Sequence, residues 1–197
     1  MFACGRPPPS IAVRIVDADA QSLTEPFRVG EMWVSSPSAA LGYWNRAEDP
    51  AFGAVLDGVA YVRTGDLGFL TDDGEVVVCG RIKDVMILRG RNHYPQDLER
   101  TAETTGRCRP GCSAAIQLQD DVVVVVEQRA DDDVASALAT AVSDTIAQTH
   151  GLRPRVLVAK PRTVPKTTSG KIRRAAARDF FLRTDDGKAA LLVDGGF

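Results

Sequence analysis

The apolar positions change period along the chain. Between residues 11 and 17, Ile11, Val13 and Ile15 alternate with Ala12, Arg14 and Val16, the period-two pattern of a half-buried strand. Further short strands are expected at 30–35, 59–62 and 75–79, separated by turns rich in Gly, Pro and Asp, with Asp72-Asp73-Gly74 as a hairpin signal. Residues 1–10, with Pro7-Pro8-Pro9, read as extended chain, and Leu41-Gly42-Tyr43-Trp44-Asn45 reads as an aromatic turn. This third of the chain predicts a small barrel or sheet with no long helix.

Residues 80–99, GRIKDVMILRGRNHYPQDLE, form a joint between two textures. A charged tetrad at 81–84 interrupts strand-like runs at 75–79 and 85–88, and a Gly90-Arg91-Asn92 turn leads to a helix start at Pro95. Beyond it the period alternates between strand and helix. Helices are expected at 95–105, from Asp131-Asp132-Asp133 to His150-Gly151 with a stripe of Val134, Leu138, Ala141, Val142 and Ile146, and at 172–182. Strands are expected at 114–118, 122–126 and 155–159, and the five valines of 122–126 suit a strand buried on both faces. The fold class is therefore α+β: a short-strand, β-barrel-like fragment (1–79), a joint (80–84), a small α/β domain (85–183) and a Gly- and Asp-rich tail (184–197) expected to be poorly ordered.

Composition narrows the function. The 197 residues are 44% hydrophobic and 25% charged, enough for one large or two small soluble domains. A net charge of -2 gives no global basic field, so nucleic acid is not an expected partner. No apolar run approaches the ~20 residues that span a bilayer. Cys4, Cys79, Cys108 and Cys112 occur without a secretory segment, which points to reduced thiols and a cytoplasmic setting. Cys108 and Cys112 lack a second pair at zinc spacing, so no metal site is expected there. His93 and His150 show no triad arrangement and are read as structural.

Three polar positions carry candidate chemistry. Asp66 follows Arg63-Thr64-Gly65, where its carboxylate could accept two hydrogen bonds from a vicinal diol or bond its own backbone. Arg81 lies just past Gly80, close in sequence to the same hairpin, and suits either a shared ligand or solvent. Lys171 ends Pro165-Lys166-Thr167-Thr168-Ser169-Gly170-Lys171, a loop that could swing an ammonium to a phosphate or carboxylate. Pro165 and Ile172 occupy positions a Walker A loop gives to Gly and to Ser or Thr, so that reading is rejected. Lys166, Lys171, Arg173 and Arg174 equally suit a solvated basic face.

Taken in order, these segments resemble the carboxy-terminal third of the adenylate-forming enzymes. Val29-Gly30-Glu31-Met32-Trp33-Val34 and Leu41-Gly42-Tyr43-Trp44 look like the small barrel subdomain of the large domain, and Tyr61-Val62-Arg63-Thr64-Gly65-Asp66-Leu67 like the ribose-binding motif. Gly80-Arg81-Ile82-Lys83-Asp84 resembles the hinge and the 165–171 loop the catalytic-lysine motif, while the stretch from Arg89 to Glu99 looks most like the fatty acyl-AMP ligases, with fatty acyl-CoA ligases next. The resemblance implies a lid-like small domain, Asp66 and Arg81 on the nucleotide ribose, Lys83 as hinge, Lys171 as catalytic cation, and the Gly90 loop entering the site for thiol transfer. It implies ATP or AMP with Mg²⁺, a fatty acid or acyl-adenylate, and a carrier protein or CoA as acceptor. The family's phosphate loop, metal-binding glutamate and acyl pocket have no counterpart in these residues, so the expectation is a chain inactive alone that works with a separate amino-terminal ligase portion. The alternatives are a non-catalytic module that binds a carrier protein or a ligase, and an inactive fragment.

Overall fold

A computed structural model describes residues 2–17, 22–46, 49–119, 121–128, 132–183 and 191–195. The chain divides into two compact units, Met1–Asp84 and Val85–Phe197.

The first unit is an open antiparallel sheet. Its strands are β1 (Phe2–Ala3), β2 (Ala12–Val16), β3 (Gly30–Ser35), β4 (Ala54–Leu56), β5 (Val59–Leu70) and β6 (Val76–Arg81), ordered β1-β6-β5-β3-β2 with β4 paired to β5. A short 3₁₀ turn, Ile82–Asp84, ends the unit. Sequence patterning stops β5 at residue 62, yet the strand runs 12 residues to Leu70. Gly65, at φ +69°, and a register shift between Leu67 and Gly68 let it bend without ending. Gly68 is needed at that bend, since a Cβ there would lie 2.5 Å from the Val77 carbonyl oxygen and 2.7 Å from Met32 Sδ. The core is small, built from Ile15, Met32 and Val76 with Val13, Leu70 and Val78 packed against it.

In the second unit, β7 (Met86–Leu88) and β8 (Arg91–His93) make a hairpin across Arg89 and Gly90. Both turn residues have positive φ, +50° and +74°, the twist that tight hairpins favour. Arg91 and Asn92, expected in the turn, are therefore in a strand. Then follow α1 (Pro95–Thr104), β9 (Ser113–Leu118), β10 (Asp121–Glu127), α2 (Asp132–His150), β11 (Arg155–Ala159), α3 (Arg174–Arg183) and β12 (Leu191–Gly195). The sheet order is β12-β11-β10-β9, with β10 and β11 parallel and α2 as their crossover.

Burial on both faces explains the valine run. Val122, Val124 and Val126 pack with Leu98, Ala102, Leu138, Val142 and Ile146 of α1 and α2, whereas Val123 and Val125 pack on the other side with Val164, Ala177 and Phe181. Each fully buried valine contributes on the order of 1.5 kcal/mol of apolar transfer free energy. The stripe of α2 is Ala135, Leu138, Ala139, Val142 and Ile146. Val134, expected in it, is 53% exposed because the helical period that buries Leu138 and Val142 puts Ala135 inward instead.

The start of α3 lies two residues later than expected, since Ile172 bridges to Lys166 and the Arg173 N–H donates to Pro165 O, folding both residues into the preceding loop. Within the tail, Leu191–Gly195 pairs with β11. The rest of that expected disordered segment, 184–190 and 196–197, lies outside the described residues, as does Asp131 at the expected start of α2.

Candidate functional site

Each unit carries its own part of the candidate chemistry. In the first, Asp66 and Arg81 face each other across β5 and β6 as register partners, and Arg81 Nε lies 2.9 Å from Asp66 Oδ1. Thr64 prepares this pair. Its hydroxyl donates to Met32 O at 2.7 Å and accepts the Asp66 N–H at 3.0 Å, so the backbone that presents the carboxylate is tied to β3. The Asp66 side chain is 29% exposed and that of Arg81 69%, so both are open to a ligand and the pair adds little stability.

A second network on β3 and β5 is not visible in the sequence pattern. Glu31, buried on β3, accepts from Trp33 Nε1 and from Arg63 Nε, both at 3.0 Å, and Arg63 Nη2 lies 2.9 Å from the same oxygen. Arg63 also stands 5.7 Å above the Trp33 ring. These bonds fix β5 at Arg63, shortly before Asp66 on the same strand.

In the second unit, Lys171 is exposed at the end of a loop closed on itself. The Thr167 N–H donates to Lys171 O at 2.8 Å, the Lys171 N–H donates to Thr167 Oγ1 at 3.0 Å, and Gly170 turns the chain at φ +81°. Two buried carboxylates hold the flanks. Glu127 Oε1 accepts the Val164 N–H at 2.8 Å just before the loop, and beyond it Arg174 makes a two-pronged contact with Glu99, Nε to Oε1 at 2.9 Å and Nη2 to Oε2 at 2.6 Å. Glu99 Oε1 also accepts the Ala115 N–H at 3.0 Å, tying the pair to β9. A cation on such a loop has freedom at its tip and little at its base.

Lys83 sits exposed in the 3₁₀ turn that ends the first unit. Gly90 is exposed in the β7–β8 turn between Arg89 and Arg91. His150 Nε2 meets Thr101 Oγ1 at 2.8 Å, joining α2 to α1. His93 titrates below its ordinary range, first because of burial and then because of the nearby His150 and Arg91 charges. Burial pushes the Cys108 thiol up, with Glu103 adding to the effect and a Thr105 hydrogen bond opposing it. Lys166 and Arg174, which read as members of a solvated basic face, instead contact Cys112 Sγ and Glu99. Among the described residues no cluster of three His, Cys, Asp or Glu side chains could hold a metal ion, and no helix is long and apolar enough to cross a membrane.

The signals for the missed residues are weak but physical. Glu127 continues a valine run into a fully buried position, and Glu99 occupies the buried face of α1; an acid in such a place needs a donor. The donors come from residues far along the chain, which no local pattern reveals.

Residues 83–186, a little over half of the chain and including the whole Lys171 loop with its flanking carboxylates, match the family described as disco-interacting protein 2-like, AMP domain. The chain belongs to that family. Relatives of this AMP-domain chain are fatty-acid ligases. It is 40% identical over 200 residues to the medium-chain-fatty-acid–[acyl-carrier-protein] ligase JamA of Moorena producens, which covers 92% of the chain and 33% of JamA. It is 38% identical over 198 residues to the long-chain-fatty-acid–AMP ligase FadD26 of Mycobacterium tuberculosis, covering 89% of the chain and 33% of FadD26. A solved structure from work on the fatty acyl-adenylate ligases of E. coli and L. pneumophila superposes with a TM-score of 0.78 at 30% identity, covering 92% of this chain and 32% of that one. The chain thus spans about a third of the length of the curated relatives it matches.

Proposed function

We propose that the chain supplies the carboxy-terminal part of a fatty-acid-activating ligase. In that reaction a fatty acid carboxylate displaces pyrophosphate from ATP to give acyl-AMP, and a thiol of a carrier-protein phosphopantetheine arm or of CoA then displaces AMP. The observation that carries this reading is the Lys171 loop, an exposed ammonium at the tip of a segment held at both flanks by buried Glu127 and by the Glu99–Arg174 pair. A positioned cation of this kind neutralises charge that develops between the carboxylate and the α-phosphate as pyrophosphate leaves. Asp66 and Arg81, paired and open, would take the ribose hydroxyls of ATP or acyl-AMP. Lys83 would be the pivot between the two half-reactions, and the Gly90 turn would line the path of the thiol.

ATP enters as substrate, and the donors of this chain suit it. The accompanying Mg²⁺ finds no set of ligands among the described residues, so no step is assigned to it on this chain. The free cysteines suit a reducing compartment such as the cytoplasm. The rest of the machinery belongs to an amino-terminal ligase portion.

Mixing the chain with a separately expressed amino-terminal portion and measuring fatty-acid-dependent ATP–pyrophosphate exchange tests the reading. Exchange should rise over the amino-terminal portion alone, and Lys171→Ala should lower it by roughly 10²-fold or more. No rise and no effect of Lys171→Ala would sink it. A second reading, a binding module for carrier protein, is favoured by the exposed Arg89 and Arg91 on either side of Gly90. It expects capture of holo carrier protein that survives Lys171→Ala and is lost in Arg89→Glu/Arg91→Glu.

A further inference from the structure

One contact of the Lys171 loop has no part in the roles above. Lys166 Nζ lies 3.0 Å from Cys112 Sγ. Both groups are fixed by backbone bonds. The Cys112 N–H donates to Arg109 O at 3.2 Å and Cys112 O accepts from Glu127 N–H at 3.3 Å, while Lys166 is bridged to Ile172. Cys112 is 5% exposed, which bars a second protein thiol or glutathione but leaves room for an oxidant the size of water. The lysine amine stands within hydrogen-bond distance of that sulfur.

We propose that Cys112 and Lys166 form a reversible sulfenamide cross-link when the chain meets hydrogen peroxide. First the sulfur attacks one peroxide oxygen; the S–O bond forms as the O–O bond breaks, and the departing hydroxide takes the thiol proton to leave as water. Sulfur has lost two electrons and the peroxide has gained them. Next the deprotonated Lys166 amine attacks the sulfur of the sulfenic acid; the S–N bond forms as the S–O bond breaks, and a second water leaves with an amine proton. The condensation is redox-neutral, and two thiol equivalents restore thiol and amine as they become a disulfide. The adjacent ammonium, before it gives up its proton, also stabilises the negative charge that develops on the departing peroxide oxygen in the first step.

The other cysteines stand differently. Cys108 is buried with its Sγ donating to Ala102 O at 3.4 Å, and burial holds its thiol in the less reactive protonated form. Cys79 is buried in the other unit and Cys4 is exposed. A bond at residue 166 would remove one positive charge from the loop and fasten its base to the residue that precedes β9. That effect on catalysis rests on the ligase reading; the cross-link itself does not.

The test uses the full chain carrying Cys4→Ser, which removes the exposed thiol, treated with hydrogen peroxide and mapped by mass spectrometry after digestion. The expected product joins the peptides of Cys112 and Lys166 and is lighter by the hydrogens lost. Lys166 should escape acetylation by acetic anhydride, and dithiothreitol added after unfolding in urea should reverse both changes. Lys166→Arg keeps the cation but cannot condense in this way; it should give no cross-link and should leave a Cys112 sulfenic acid that dimedone traps when the chain is unfolded in its presence. Cys112 found as a sulfinic acid, in a disulfide with Cys108, or unchanged, with Lys166 still acetylated, overturns the proposal. If the cross-link forms but the mixed system shows no pyrophosphate exchange even before peroxide, the ligase reading fails and the chemistry of the pair stands; if exchange occurs and peroxide leaves it untouched, the effect on catalysis is overturned and the cross-link is not.

Discussion

Glu99 and Glu127 are carboxylates inside the protein, 6% and 2% exposed, and each holds one flank of the segment that carries Lys171. Removing a partner from a buried ion pair leaves a charge without compensation, which costs roughly 3 kcal/mol. Arg174→Ala should therefore lower the urea-unfolding free energy of the second unit by about that amount, and replacing both partners, as in Glu99→Leu/Arg174→Leu, should recover much of it. His93 offers a pH test. Its folded pKa lies below the ordinary 6.5, so in the window between the two values the unfolded chain binds more protons than the folded one. Stability is fully present above pH 6.5 and falls as the pH drops through the lowered value. His93→Gln should flatten the acid side of a stability-against-pH curve. At this scale the sequence was informative where partners are close along the chain: a hairpin signal at Asp72-Asp73-Gly74 is enough to bring Asp66 near Arg81. It was silent where they are distant, and Arg174, 75 residues from Glu99, read as a solvent-facing arginine for that reason.

Strand β5 shows how one small residue sets an element's course. Gly68 stands two positions after Asp66, where the register shifts, and no side chain fits between the Val77 carbonyl and Met32. Gly68→Ala would push backbone against backbone, and overpacking of this kind costs about 1–3 kcal/mol. The expected readout is faster hydrogen exchange at the facing amides of β5 and β6, with the amide of Asp66 among them; unchanged exchange would mean that the bend tolerates a methyl group. The elements most legible in sequence were those whose burial matches a simple period, such as β10 with its valines inward on both faces. Those that escaped rely on something else. The stripe of α2 uses Ala135 and Ala139, whose small side chains barely register as apolar pattern, and β12 adds to the sheet edge through backbone pairing within a Gly- and Asp-rich stretch.

On the scale of the whole chain, the two units differ in how completely they cover their apolar residues. The second packs both faces of its sheet, while the first leaves Leu41 100% and Trp44 92% exposed on one turn, with Tyr43 stacked edge-on to Phe52 at 5.2 Å to hold that turn in place. Adjacent apolar side chains of that size in water favour association. The double variant Leu41→Ser/Trp44→Ser should elute closer to monomer size on gel filtration than the parent chain and bind less of a hydrophobic dye, while its unfolding free energy stays within about 0.5 kcal/mol, because neither side chain belongs to the core. A loss of several kcal/mol would mean that the turn packs against the sheet in solution. The same residues give a signal for complementation. If an amino-terminal ligase portion seats on this turn, Trp44 leaves water and its fluorescence shifts to the blue on mixing; an unmoved spectrum alongside restored pyrophosphate exchange would place the contact away from this turn.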